Sequence, residues 1–261
     1  MKSTESLLVI DIGNSNVVLG VWEGGIWKHV WRLQTLADEE SLEFYSNRIR
    51  DFFLEAQLQI HTIKGVVLSS VVPSLNEKII FVIEQLFGRE PLLFGPNVFS
   101  RLPLVIERPH EIGSDLVANA LAAWKIFGKD MIVVDFGTAL TFTSVTVRGE
   151  ILGVSIAPGL KTALRVLFNN TAQLPEAPVS FPESVVGKDT VHAIQSGVLV
   201  GYVGLVRHMI AMIRAELGEH FGSVATGGLS SVLTPLKEDF DLISPTLTLD
   251  GLRLAFELTS E

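Results

Sequence analysis

Residues 7–16 read Leu-Leu-Val-Ile-Asp-Ile-Gly-Asn-Ser-Asn, and residues 131–140 read Met-Ile-Val-Val-Asp-Phe-Gly-Thr-Ala-Leu. Each stretch is a short apolar run that ends in Asp-x-Gly, which is typical of a buried strand followed by a turn. In both places the chain continues through two further β-rich runs that are separated by turn residues. Because both copies are followed by the same succession of strands and turns, the repeat predicts a duplicated fold with two similar lobes.

The turn after each strand places backbone N–H groups beside a carboxylate, which comes from Asp11 in the first copy and from Asp135 in the second. Such a turn suits a nucleotide phosphate that is held by N–H groups and by a metal bound to the carboxylate. A single Asp-x-Gly sequence after a strand is usually only a turn. Two copies in equivalent positions favour phosphate binding, with one nucleotide clamped between the lobes.

The remaining pattern alternates strands with helices, which predicts an α/β architecture. Helices are predicted at residues 38–57, 73–87, 114–127, 158–167, 187–217, 230–237 and 246–257. We place the N-terminal lobe at residues 1–121 and the C-terminal lobe at residues 122–261.

The helix predicted at residues 187–217 is the longest in the chain. Its apolar positions recur at spacings of three and four: Val191, Ile194, Val198, Tyr202, Leu205, Met209 and Met212. Gly197 and Gly201 recur on one face, where they permit another helix to approach closely. The apolar stripe either packs against its own sheet or forms the seam of a dimer.

Composition excludes several classes of function. The 261 residues include no cysteine, which rules out disulfides, thiolate zinc sites and a cysteine nucleophile. A net charge of −9 without a basic run argues against a nucleic-acid partner. The first residues lack the apolar core of a signal peptide, and no run of about 18 uncharged apolar residues occurs, so we expect a cytoplasmic protein with no membrane span. A buried subunit interface would explain the hydrophobic content of 48%.

The chain resembles the type III pantothenate kinases, which belong to the actin, sugar-kinase and Hsp70 superfamily. The resemblance covers essentially the whole chain and rests on motifs that occur in the same order and spacing. These motifs are residues 11–16 (DIGNSN), 109–115 (PHEIGSD), 135–139 (DFGTA), 157–160 (APGL), 187–190 with 195–197 (GKDT and QSG) and 226–229 (TGGL). The resemblance implies a duplicated actin-like, ribonuclease H-like ATPase fold with mixed sheets. It also implies a homodimer that phosphorylates pantothenate to 4'-phosphopantothenate, the first step of coenzyme A biosynthesis.

The resemblance further implies a role for each matching residue. The expected ATP contacts are Asp11, Ile12, Gly13, Asn14, Ser15, Asn16, Val17, Val18, Thr138, Gly227 and Gly228. Magnesium is expected near Asp11, and Asp135 matches the position that holds a monovalent cation, K⁺ or NH4⁺. The expected pantothenate contacts are Ile106, Gly113, Ser114, Asp115, Leu116 and Thr190.

Asp115 matches the proton-accepting position of the family and is expected to lie exposed where a loop meets a helix. A carboxylate beside the substrate hydroxyl can orient it and accept its proton. The alternative reading is that Asp115 only stabilises the N-terminus of its helix, where Asp is favoured.

Two positions depart from the family pattern, and both fall in the substrate region. Leu116 stands where the family has Arg, and Ile106 stands where the family often has Tyr. An Arg could pair with the carboxylate of pantothenate, and Leu cannot replace it. Lys161 or Arg165 could supply the positively charged side chain instead. These departures leave open an alternative function, that of a nucleotide-binding regulatory relative with a drifted substrate pocket.

Overall fold

The computed structural model describes residues 6–171, 174–230 and 234–260. Contacts along the chain divide it into two compact units. The first contains the described residues up to Ala122 together with those from Thr248 onward, and the second runs from Ala123 to Leu247. Each unit has a five-stranded sheet of its own.

The strands β1–β10 span Ser6–Ile12, Asn16–Glu23, Ile26–Gln34, Ile63–Ser70, Leu92–Phe94, Met131–Phe136, Ala139–Val145, Ile151–Pro158, Gly222–Thr226 and Leu242–Ile243. The α-helices α1–α8 span Ser41–Glu55, Pro73–Phe87, Pro96–Phe99, Ser114–Phe127, Leu160–Asn169, Thr190–Gln195, Gly201–Leu217 and Leu247–Thr259. Ile60–Thr62 and Thr234–Asp239 form short 3₁₀ helices.

The two sheets have the same topology, which confirms the duplication predicted from the repeated sequence. The first sheet has the order β3-β2-β1-β4-β5 and the second has the order β10-β9-β6-β7-β8. In each, three antiparallel strands from one meander are followed by two strands that run parallel to the first strand of the meander. Strand β1 or β6 is therefore central, and its carboxyl end carries the Asp-x-Gly turn.

The core of the first unit lies between its sheet and the helices α1 and α2. Side chains such as Ile10, Leu19 and Tyr45 are almost fully buried there. Helix α2 begins with Pro73, whose fixed φ suits the first helical position, and it ends at Gly88 in the left-handed conformation (φ 61°). Helices α1 and α2 therefore cover the apolar face of the strand that carries Asp11.

Helix α8 packs with the first unit, whereas the sequence placed these residues in the C-terminal lobe. Trp27 Nε1 donates a hydrogen bond of 2.9 Å to Asp250 Oδ1, and the guanidinium of Arg253 lies 4.4 Å from the centre of the Trp22 ring. A Cβ built on Gly65 of β4 would lie only 2.2 Å from the Phe256 ring. The helix thus lies directly on the strands of the first sheet, and the absence of a side chain at Gly65 permits that close contact.

In the second unit, helix α6, a π-helical turn at Ser196–Val200 and helix α7 form one continuous helix from Thr190 to Leu217. Leu199, Val203, Val206 and Ile210 are buried in the core of this unit. Most of the stripe predicted from sequence packs against that core: Val198, Tyr202, Leu205 and Met209. Packing against its own unit therefore accounts for these residues, while Met212 is 52% exposed.

This 28-residue helix is also long and apolar enough to cross a membrane by length and composition alone, contrary to the expectation that no such stretch occurs. A helix in the core of a soluble protein passes the same test, so the finding is weak support for a membrane span. Of the helix predicted at residues 230–237, positions 231–233 lie outside the described residues, and Thr234 onward forms a 3₁₀ helix.

Candidate active site

The first Asp-x-Gly turn joins β1 to β2. Asp11 is half-buried, and it pairs with Val18 on one side and with Ser69 of β4 on the other. Asn14 and Ser15 form the exposed tip of the turn. The turn therefore offers both a carboxylate and exposed backbone at the carboxyl end of the sheet.

Two of the predicted ATP contacts place their side chains in the core. Ile12 and Val17 have exposed fractions of 0% and 1%, and both belong to the apolar cluster of the first unit. Any contact that they make with a ligand must come from the backbone. Val18 is half-buried, and the Gly13 N–H donates a hydrogen bond of 2.9 Å to the Asn16 carbonyl, which closes the turn.

The first turn of helix α4 carries Asp115, and a pair of serines joins this helix to the sheet. Ser69 and Ser114 are buried, and their hydroxyl oxygens lie 2.9 Å apart. Because Ser69 is the neighbour of Asp11 in the ladder between β1 and β4, this bond holds the start of α4 near the carboxyl end of the central strand β1. Asp11, Ser114 and Asp115 are therefore brought to one region of the first unit.

The Asp115 carboxylate folds back over the start of its own helix. Its Oδ1 accepts a hydrogen bond of 3.0 Å from the Leu116 N–H, and a Cβ built on Gly113 would lie 2.5 Å from the same oxygen. Asp115 is half-buried rather than exposed. Burial raises the pKa of its carboxyl, and the N–H groups of Leu116 and Asp115 partly offset that rise.

The two departures from the family pattern lie in different surroundings. Leu116 is 8% exposed, so its side chain belongs to the packed face of α4. Ile106 is half-buried in the irregular segment before that helix. Lys161 and Arg165, the possible substitutes for a missing cation, are both exposed on α5 of the second unit.

The second Asp-x-Gly turn joins β6 to β7 and has a close backbone contact on one side. Thr138 is exposed at its tip, and the Thr138 carbonyl accepts a hydrogen bond of 3.0 Å from the Gly159 N–H. A Cβ built on Gly159 would lie 2.3 Å from the Gly137 carbonyl oxygen. Glycine is therefore required at position 159 because of space, since its φ of −70° is open to any residue.

Asp135 lies in a row of polar residues that crosses three strands of the second sheet. It pairs with Thr141 of β7 and with Thr226 of β9, so the three side chains share one face. Thr141 and Thr226 are buried, and within the described residues their hydroxyl oxygens have no hydrogen-bond partner. A buried hydroxyl without a hydrogen-bond partner costs free energy. A bound group that interacts with oxygen atoms and lies beside Asp135 would give both hydroxyls a partner.

Gly227 and Gly228 follow β9 and form a turn beside the same carboxylate. Gly227 has a left-handed backbone (φ 90°), and a Cβ there would lie 2.4 Å from Asp135 Oδ1. Both conformation and space therefore require glycine at this position. The structure brings the predicted residues Asp135, Gly227 and the turn at Thr138 together within the second unit.

Thr190 is exposed at the first position of helix α6. The preceding Asp189 caps that helix, because its carboxylate accepts a hydrogen bond of 2.8 Å from the His192 N–H. The His192 ring nitrogen Nε2 lies 2.9 Å from the Ser184 carbonyl oxygen, which ties the preceding loop to the helix. His192 therefore has a structural contact, and Thr190 remains a predicted substrate contact.

Sequence reasoning did not single out Ser69, Thr141 or Thr226 as parts of these sites. Thr226 lies inside the quoted motif at residues 226–229, but only the glycines were given a role. Ser69 is the residue that parallel pairing sets beside Asp11, and a strand-order prediction could have found it. A prediction of Thr141 would have required the register between β6 and β7, which the short turn at residues 137–138 defines.

Solved structures show which class of protein this fold defines. MreB 5 of Spiroplasma citri bound to AMPPNP is similar with a TM-score of 0.55 at 11% identity, over 98% of this chain and 97% of that one. The inorganic polyphosphate/ATP-glucomannokinase of Arthrobacter sp. strain KM is similar with a TM-score of 0.52 at 13% identity, over 98% of each chain. The fold is therefore that of the actin-like and sugar-kinase ATPases, as predicted.

Sequence similarity then narrows the class to one family. A family model described as type III pantothenate kinase matches residues 7–212. A type III pantothenate kinase of Moorella thermoacetica is 40% identical over 255 residues, which cover 96% of this chain and 98% of that protein. The chain belongs to the type III pantothenate kinase family. None of these comparisons favours the alternative of a regulatory relative.

Proposed function

We propose that this chain transfers the γ-phosphoryl group of ATP to pantothenate and so produces 4'-phosphopantothenate and ADP. The observation that carries the proposal is the position of Asp115 in a member of this kinase family: it follows Ser114, whose hydroxyl contacts Ser69, the neighbour of Asp11 at the carboxyl end of β1. Burial raises the pKa of this carboxyl, so its carboxylate is a better proton acceptor than that of an ordinary aspartate.

In this mechanism Asp115 orients the 4'-hydroxyl of pantothenate and takes its proton. The hydroxyl oxygen forms a bond to the γ-phosphorus, and the bond between that phosphorus and the oxygen that leaves with ADP breaks. The proton ends on Asp115, which releases it to solvent after the product leaves. Positioning and charge stabilisation supply most of the catalysis in this class of reaction.

The proposed ATP contacts come from the turns of both meanders. The backbone at residues 11–18 and the exposed Thr138 are suited to phosphate oxygens, since both flank Asp-x-Gly turns. The proposed contacts of the adenosine are Gly227 and Gly228, of which Gly228 is exposed. For pantothenate, the proposed contacts are Ile106, Gly113, Ser114, Asp115, Leu116 and Thr190.

Magnesium is proposed to lie near Asp11. Within the described part of the chain there is no group of 3 or more His, Cys, Asp or Glu residues that could hold a metal on its own. Magnesium fits a site with a single carboxylate, because it commonly keeps several waters and takes its other ligands from substrate phosphates. When bound, it supplies positive charge that neutralises those phosphates.

A monovalent cation, K⁺ or NH4⁺, is proposed to lie beside Asp135. The orphaned hydroxyls of Thr141 and Thr226 support this assignment, because each offers an oxygen on the same face as that carboxylate. When bound, the cation supplies a positive charge at the second Asp-x-Gly turn. The residues present therefore fit the group that the family resemblance implies.

The chain is further proposed to form a homodimer through the outer face of the long helix. Gly197, Gly201 and Gly204 are exposed, and a Cβ built on each of them has open space around it. Ala193 and Ala211 are also exposed and extend the same face at helical spacing. Three glycines in one helix are costly in helix propensity unless something packs closely against them. A second copy of the chain would supply that close contact.

The proposed partners are thus ATP, pantothenate and a second copy of the chain, with no nucleic acid and no membrane. The acidic balance of the sequence supports the absence of a nucleic-acid partner. The packing of the long helix against the core of its own unit supports a role there rather than in a membrane. A cytoplasmic location is proposed on the same grounds.

ATP turnover measured with and without pantothenate tests the proposed reaction, with magnesium and potassium present. ADP release that depends on pantothenate, together with a phosphorylated product detected by mass spectrometry, is the expected result. Asp115→Asn is the test variant, and Asp51→Asn is its matched control, because Asp51 has a side chain that is 49% exposed and contacts Arg48 on α1. Nucleotide binding without transfer to pantothenate would overturn the proposal.

A further inference from the structure

Thr35 follows the last residue of β3 and holds the first Asp-x-Gly turn by two hydrogen bonds. Its hydroxyl donates to the Gly13 carbonyl at 2.6 Å, and its N–H donates to the Ser15 carbonyl at 3.0 Å. The side chain is half-buried, so solvent competes only partly for these bonds. A single residue therefore fixes two carbonyls of the turn.

Thr162 makes an equivalent contact in the second unit. It lies in the first turn of α5, which follows β8 as Thr35 follows β3. Its hydroxyl donates to the Thr138 carbonyl at 2.8 Å, and that carbonyl also accepts the Gly159 N–H. In both units a threonine that lies beyond the third strand of the meander thus holds the turn between the first two strands.

Peptide geometry shows what these contacts do to the N–H groups of the turns. A trans peptide is planar, and its N–H points opposite to its carbonyl. With the carbonyls of Gly13 and Ser15 directed at Thr35, the N–H groups of Asn14 and Asn16 point away from that residue. With the Thr138 carbonyl directed at Thr162, the Ala139 N–H likewise points away.

We propose that Thr35 and Thr162 are positioning residues that orient the phosphate-binding N–H groups of the two turns. Each hydroxyl acts through the backbone, and neither needs to touch the nucleotide. Fixed N–H donors bind phosphate better than mobile ones, because their orientation is set before the ligand arrives. The inference rests on the proposed function in taking the ligand of these turns to be the phosphate groups of ATP.

The repetition of the contact strengthens the inference. The two turns differ in length, since two residues separate Gly13 from Asn16 whereas only Thr138 separates Gly137 from Ala139. The threonine hydroxyl accordingly reaches a different carbonyl in each turn. The shared feature is the restraint of the turn by the hydroxyl of a threonine that lies beyond the third strand of the meander.

Valine and serine substitutions separate the hydroxyl from the rest of the side chain. Thr35→Val and Thr162→Val keep the shape and remove the donor, whereas Thr35→Ser and Thr162→Ser keep the donor. Thr62→Val is the matched control, because the Thr62 hydroxyl donates to the Gln59 carbonyl at 2.8 Å in a 3₁₀ turn outside both sites. The affinities of each variant for ATP, ADP and adenosine are measured by titration calorimetry.

Each valine variant should bind ATP and ADP roughly fivefold more weakly, which is the effect of losing one net hydrogen bond. Adenosine affinity should stay unchanged, because adenosine has no phosphate. The serine variants and Thr62→Val should bind all three ligands as the wild type does.

Several results would overturn the inference: valine variants with wild-type ATP affinity, an equal loss of adenosine affinity, or no rescue by serine. If the valine variants do not fold, Thr35→Ala and Thr162→Ala are measured, and failure of these to fold would assign the threonines to folding alone. The proposed function fails separately, if wild-type protein binds ATP but does not phosphorylate pantothenate.

Discussion

Asp115→Asn should remove most phosphoryl transfer and leave the chain folded. The asparagine amide oxygen can accept the same hydrogen bond from the Leu116 N–H, so the geometry of the helix start is kept. The lost element is the negative charge that receives the proton. General-base assistance contributes typically 10²–10⁴-fold to a rate. The barrier should therefore rise by about 2.7–5.4 kcal/mol, at 1.36 kcal/mol for each factor of ten.

The stability of the Asp115→Asn variant should not fall with its activity. Because burial raises the pKa of Asp115, the folded chain binds this proton more tightly than the unfolded chain does. The contribution of the Asp115 carboxyl to the free energy of unfolding is therefore highest at low pH. This contribution falls as pH rises from the ordinary pKa of 3.8 through the raised pKa of the folded state. Wherever this carboxyl is ionised, the wild type carries a desolvated charge that asparagine lacks. The variant should melt at the same temperature as the wild type or higher.

The measurements are kcat from a coupled assay of ADP release and the thermal midpoint from circular dichroism. The wild-type kcat should rise with pH through the raised pKa of Asp115 and then level off, because only the carboxylate accepts a proton. The Asp115→Asn variant should lack this rise of kcat with pH, and the Asp51→Asn variant should retain it. A variant kcat within about threefold of the wild type would refute the role of Asp115 as the base. A clearly lower midpoint would assign the loss of activity to folding.

Other expected outcomes concern the cation, the second turn and the long helix. Replacing potassium with tetramethylammonium should lower turnover, and equal rates in both salts would remove the cation from Asp135. Gly159→Ala places a methyl against the Gly137 carbonyl and should raise the KM for ATP, whereas Gly153→Ala, with open space around it, should not. Gly201→Glu should give a folded monomer in sedimentation, because glutamate favours helix over glycine by roughly 0.5–1 kcal/mol while its bulk blocks close approach. An unchanged dimer would contradict the assignment of that face.

Local sequence signals predicted the repeated meanders well. An apolar run followed by Asp-x-Gly specifies a strand and a turn from neighbouring residues alone, and the second copy at Asp135 supplied the duplication. The turn residues of the ATP-binding prediction follow directly from that pattern. The resemblance to a family added roles that no local pattern contains, such as the proton-accepting position of Asp115.

Contacts between residues that are distant in sequence could not be predicted from local sequence patterns. The row formed by Thr141, Asp135 and Thr226 needs the strand order β7-β6-β9, and the bond between Ser69 and Ser114 joins residues 45 apart. The sequence showed the apolar stripe of the long helix, but it did not show which surface packs against that stripe. Periodicity shows which side of a helix is apolar and leaves open whether its own unit or another chain covers it.

The return of α8 to the first unit has a consequence for how the chain folds. The strands that carry the first Asp-x-Gly turn are made early in synthesis, but Asp250 and Phe256, which pack against Trp27 and Gly65, are made only after the whole second unit. The first unit therefore stays incomplete while 125 residues of another unit are added, and its closure pays the entropy of a long loop. Shortening α8 should thus loosen the first phosphate-binding turn, a site at the opposite end of the sequence.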